Sequence, residues 1–145
     1  FEMLPSGFFR KIRDHVFGGT PFSKKGFEMR ARYSVGMNAG RINTPFLIQI
    51  ADSEYYWSRQ NYHALKDAGK PVEMHIYPDE YHVKWQPAHR YAVYTRTVDW
   101  FNFWLRGVTD KNPTKAAQYE RWYGLRQQHH ANLNTVTRRV TDISN

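Results

Sequence analysis

The stretch that most constrains this chain runs from residue 44 to residue 82, TPFLIQIADSEYYWSRQNYHALKDAGKPVEMHIYPDEYH. Residues 44–51 form a short apolar run entered through Pro45, which predicts a buried strand. Asp52, Ser53 and Glu54 end it. Residues 56–68 carry helix-forming side chains and stop at Gly69, with Pro71 just beyond, a helix-stop signal. Residues 71–77 alternate apolar and polar, as a half-buried strand does. Pro78, Asp79 and Glu80 then open a turn, and His82 follows. A strand–helix–strand unit of this length predicts a right-handed parallel crossover. In open α/β sheets, sites lie off the carboxyl ends of the strands. Asp52, Glu54 and His82 all fall there, so the unit reads as the acid-and-histidine half of a catalytic relay.

The phrases TPFLIQIAD, YHALKDAGKPVEMHIYPDEYH and RTVDWFNFWLRG resemble the C-terminal end of the prolyl oligopeptidase (S9) family of α/β-hydrolase peptidases. The resemblance covers about residues 33–107. It implies the C-terminal portion of an α/β-hydrolase, a parallel sheet flanked by helices, and the chain order serine, acid, histidine. No G-x-S-x-G elbow occurs here, and none of the six serines has flanking glycines at that spacing. The nucleophile and the oxyanion hole are therefore expected upstream of Phe1, in a segment of the same protein that also carries a β-propeller domain. Asp52 stands where the family's usual acid would, but the loop from it to the helix is shortened. A shorter loop retracts Asp52 and brings Glu54 to the histidine on a longer side chain. A glutamate acid, the YHVKWQPAH loop and the NPTKAAQYERW tail are most similar to the lasso peptide isopeptidases, which hydrolyse the amide closing the ring of a threaded peptide.

The resemblance thus implies a serine peptidase with His82 as general base and Glu54 as orienting acid, acting on a lasso peptide. Spacing alone does not separate Glu54 from Asp52, since both separations fit one crossover. If Asp52 were the acid, an ordinary oligopeptidase or esterase would be implied, with Asp52 otherwise left to cap the following helix. A reading from another class is a basic, non-enzymatic α/β binding module. The formal net charge is +8, yet no run of five Lys or Arg exists, and nucleic-acid binding is not expected. With no cysteine there is neither a disulfide framework nor a thiolate metal site. His129 and His130 are adjacent and diverge on a helix, so no metal and no cofactor are expected. No long apolar run predicts a membrane span. The cytoplasm of a bacterium is the expected compartment, with the periplasm as the alternative.

Two domains are expected: residues 1–107 as the C-terminal half of the catalytic domain, and 108–145 as a helical extension and tail. Residues 1–4 read as the end of a strand, giving three strands in all. Residues 8–17 predict a helix on Phe8, Ile12 and Val16. Mixed signals over 22–37 predict a short helix near 27–31. Residues 87–105 predict a helix whose Tyr91, Tyr94, Val98, Phe101 and Leu105 form an apolar face, widened by Trp100 and Trp104, that packs on the sheet, closed by Gly107. Residues 114–128 predict another, followed by a polar tail. Tyr55, Tyr56, Trp57 and Trp85 flank the site loops and are candidates to line a cavity for a bulky peptide. His63 and His75 read as helix-face and strand-face residues.

Overall fold

A computed structural model describes residues 7–20 and 22–143. The strand expected at residues 1–4 lies outside them. The elements are α1 (Gly7–Val16), α2 (Lys24–Tyr33), a 3-10 turn (Ala39–Arg41), β1 (Phe46–Ala51), a second 3-10 turn (Asp52–Glu54), α3 (Tyr55–Asp67), β2 (Val72–Tyr77), α4 (Pro87–Phe101) and α5 (Ala116–Ile143). A π-helical turn (Asn102–Arg106) extends α4, and a 3-10 turn (Pro113–Lys115) leads into α5. Among the described residues there are two strands rather than three. They pair in parallel, with Phe46 opposite Val72 and Ala51 opposite Tyr77.

Alternation along the strands divides the side chains between two faces. Phe46, Ile48 and Val72 turn toward α3, where Leu65 is fully buried among them with Val35, Ile42 and Tyr62. Helix α3 ends as its sequence dictates. Gly69 takes φ +67 at the C-terminus, a conformation that costs glycine nothing, and its N–H and that of Lys70 return to the carbonyls of Lys66 and Leu65. Leu47 and Gln49 turn toward α4 and α5. There Trp100, Phe103, Tyr119 and Trp122 form an aromatic core, with Phe103 and Trp122 completely buried. The Trp100 and Trp122 rings meet edge to face with centroids 5.1 Å apart, a favoured geometry for such pairs. The architecture is therefore α3, sheet, and α4 with α5, in three layers.

The inward face of α4 differs from the expected one. Tyr91, Tyr94, Val98, Phe101 and Leu105 are all exposed. The sheet is met by Val93 and Thr97, whose carbonyl and hydroxyl accept from the Gln49 amide at 3.2 and 2.9 Å, and by Trp100 behind Leu47, one of the two tryptophans expected to widen that face. A polar bond from the strand selects the face that a hydrophobic count passes over. The expected apolar face of α1 is likewise outward at Ile12 and Val16, and the Phe8 side chain lies outside those described.

Two further corrections concern length. Helix α2 spans Lys24–Tyr33, longer than the short helix expected, because Ser23 caps it by accepting the Gly26 N–H at 3.2 Å. The expected polar tail after residue 128 is helical: α5 continues to Ile143. No proline interrupts 114–143, so no residue in that stretch forces the helix to stop. Asn132 also docks it, donating to the Gly69 carbonyl at 2.8 Å. Among the described residues no helix is long and apolar enough to cross a membrane.

Candidate active site

The ends of β1 and β2 are neighbours, so the loops leaving them are too. The 3-10 turn after β1 brings Glu54 back over its own strand end, where its Oε2 accepts the Ala51 N–H at 3.1 Å. The other oxygen, Oε1, lies 2.5 Å from His82 Nδ1. An ionised carboxylate can only accept, so Nδ1 carries the proton and Nε2 is left as the basic nitrogen. The imidazole is 88% exposed, whereas the Glu54 side chain is 27% exposed. Nε2 makes no hydrogen bond among the described residues and faces open space where a nucleophile could approach.

Partial burial pushes the Glu54 carboxyl up, but the hydrogen bonds from His82 and the Ala51 N–H outweigh it. The charge of Lys84, and that of the His82 imidazolium when it forms, adds to them, and the group titrates below its usual 4.5. Lys84 Nζ stands 3.7 Å from Glu54 Oε2 and is itself only 9% exposed. It also donates to the carbonyls of Tyr81 and His82 at 3.4 and 3.2 Å.

Asp52 is not at the histidine. Its Oδ2 accepts the Asp79 N–H at 3.0 Å and its Oδ1 accepts the Ser53 N–H at 2.8 Å. Those two N–H bonds hold its carboxyl below the usual range. Asp52 thus joins the turn after β1 to the turn after β2. Asp79 sits at φ +52, a left-handed conformation that aspartate tolerates better than most side chains.

The structure adds residues that sequence reasoning missed. Glu80, read only as a turn residue, has a side chain with no exposed surface. It accepts the Trp85 N–H at 2.6 Å, the Gln86 N–H at 3.0 Å and His89 Nδ1 at 2.8 Å. Burial pushes its carboxyl up, and these donors overcome that and bring it below the usual range. Two of its three partners are main-chain N–H groups, which leave no trace in residue identity. Lys84 likewise carried no signal beyond being a lysine two residues from His82.

Tyr55, Tyr56, Trp57 and Trp85 surround the loops and are exposed in this chain, Trp85 at 80%. His63 is exposed on α3. His75 is half-buried, with Nε2 2.8 Å from Glu73 Oε1. Among the described residues no group of three or more His, Cys, Asp or Glu side chains is placed to hold a metal ion.

A parallel βαβ unit with an acid after the first strand and a histidine after the second has the layout of the C-terminal part of an α/β-hydrolase. Residues 12–108 match the prolyl oligopeptidase family (peptidase S9), and the chain belongs to that family. It is 58% identical over 96 residues, 66% of its length, to the lasso peptide isopeptidase AtxE2 of Asticcacaulis excentricus. Among solved structures it resembles the AtxE2 isopeptidase in its apo form (TM-score 0.67, 52% identity, 72% of this chain and 17% of that one). It equally resembles a variant of that isopeptidase with Astexin3-dC4 bound (TM-score 0.67, 56% identity, 69% of this chain and 15% of that one). The chain spans 14% of the length of the curated relative.

Proposed function

We propose that this chain supplies the general base and the orienting acid of a serine hydrolase that opens the isopeptide bond of a threaded lasso peptide. The observation that carries the reading is the 2.5 Å contact between His82 Nδ1 and Glu54 Oε1 at the ends of adjacent parallel strands. The serine, its oxyanion hole and a β-propeller domain belong to an upstream segment of the same protein. Residues 1–107 complete the catalytic domain and 108–145 form a helical extension braced on α4.

The steps follow from the tautomer. The serine hydroxyl attacks the amide carbonyl as Nε2 of His82 takes its proton. Glu54 holds Nδ1–H and stabilises the imidazolium that results. Collapse of the tetrahedral intermediate breaks the C–N bond, and Nε2 returns the proton to the leaving amine. Water, deprotonated by the same nitrogen, then hydrolyses the acyl-enzyme. High identity to a protein named as a lasso peptide isopeptidase supports the choice of bond.

The test incubates the full-length protein with a threaded lasso peptide and weighs the product. Gain of one water by the threaded peptide, with its linear counterpart uncut and His82→Ala inactive but folded, is the expected result. Cleavage of linear peptides alone would overturn the substrate. Full activity in His82→Ala would overturn the base.

A further inference from the structure

His82 and Glu80 stand two residues apart in one loop and live in opposite environments. The His82 ring is 88% exposed and has a single side-chain partner among the described residues. Within this chain the ring is held by Glu54 and by the main chain that carries it. That main chain is closed on the Glu80 carboxylate. Oε2 takes the Trp85 N–H, and Oε1 takes the Gln86 N–H and the His89 imidazole from the first turn of α4. Residues 81–84 are thereby looped out between two points tied to the same side chain. A fully buried carboxylate is costly unless it is hydrogen-bonded, and this one collects three donors. Such charge-assisted bonds are about twice as strong as neutral ones.

We propose that Glu80, latched by His89, is the positioning residue that sets His82 against Glu54; this rests on the reading of His82 as general base given above. Glutamine cannot replace it. One face of an amide presents N–H groups, which would confront the Trp85 N–H or the Gln86 and His89 donors. The loop would relax, and the Nδ1–Oε1 contact would be lost without any change to either of its members.

The experiment measures the rate at which a fluorophosphonate probe labels the serine of the full-length protein, together with thermal melting and kcat and KM for peptide hydrolysis. Glu80→Gln is expected to slow labelling about a hundredfold, the order of loss that follows a misplacement near 1 Å. The loss falls on kcat with KM held. In a His82→Ala background, read as residual labelling over long incubation, Glu80→Gln is expected to change nothing further. A purely structural glutamate would slow both backgrounds alike, and that result overturns the proposal. So does a wild-type rate in Glu80→Gln. If Glu80→Gln fails to fold, His89→Ala decides by the same two criteria, with an expected slowing of about tenfold. A wild-type labelling rate in His82→Ala would instead remove the base, and the positioning role with it. Loss in His82→Ala but not in the Glu80 and His89 variants would remove the positioning role alone.

Discussion

Asp52 Oδ2 accepts the backbone N–H of Asp79 at 3.0 Å, so the turn after one strand is fastened to the turn after the next by a carboxylate that does not touch the histidine. Glu54, two residues on, does touch it. The two acids therefore divide the work, one aligning loops and the other contacting imidazole.

Separate substitutions in the full-length protein should reveal that division. Glu54→Gln is expected to lower kcat by up to about 10⁴-fold, the loss that an equivalent amide substitution causes in a serine protease triad. Asp52→Asn keeps one acceptor oxygen and is expected to lose about tenfold or less. Steady-state hydrolysis of the threaded peptide measures both. A larger loss in Asp52→Asn would transfer the orienting role to Asp52.

Glu73 predicts an acid-sensitive joint between sheet and α5. Its carboxylate accepts from Trp122 Nε1, from Arg121 Nε and Nη2 at 3.2 and 3.0 Å, and from His75. Burial raises its pKa, and the His75 and Arg121 bonds outweigh that and bring it below 4.5. A carboxyl depressed in the folded state contributes stability above its unfolded value and loses it as pH falls through the folded one. Hydrogen exchange at the Trp122 indole should stay slow from neutral pH to about 4.5 and accelerate below it. In Glu73→Gln that acid step should vanish, and exchange should already be fast at neutral pH.

Trp122 is completely buried against Trp100, Phe103 and Tyr119. Trp122→Ala is expected to cost about 3–5 kcal/mol by thermal or urea unfolding. Trp122→Phe should recover most of the packing and lose only the bond to Glu73, about 1.5–3 kcal/mol.

Arg126 closes the π-helical turn. Its Nη2 donates to the Phe103 carbonyl, and its guanidinium lies 3.7 Å from the centre of the Phe103 ring. Arg126→Lys keeps the charge but forfeits the planar stacking group, so it should lower stability by about 1–2 kcal/mol. A melting temperature unchanged from wild type would show that the turn needs no such brace.

The βαβ unit was legible because each of its pieces carries its own punctuation. Pro45 enters β1, Gly69 and Pro71 end α3, and alternation marks β2. The outward stripe of α4 was not legible, because apolar spacing locates a helix without saying which of two apolar faces turns inward. Here Gln49 made the choice through Val93 and Thr97. The reach of α5 to Ile143 was not legible because residues 129–143 carry neither an apolar period nor strong helix formers throughout, and the Trp122 anchor that seats the helix has no period. Within the site, the acid and the histidine are visible as side chains of the right type. Glu80 was not, since a carboxylate that serves backbone N–H groups looks like any turn glutamate.

The alignment of β1 with β2 has a consequence for chemistry. A parallel pair has no hairpin to fix it, so the ladder from Phe46–Val72 to Ala51–Tyr77, with the Asp52–Asp79 bond at its end, holds the strands in step. A slip of one residue would carry one loop about 3.3 Å past the other and exchange the faces of every side chain on the strand. That is farther than a hydrogen bond can stretch, so Glu54 and His82 would part, and Glu73 would swing away from Trp122 in the same event. The strand ladder thus acts as a vernier for the site: peptide groups with no reactive atom among them calibrate the distance on which proton transfer depends.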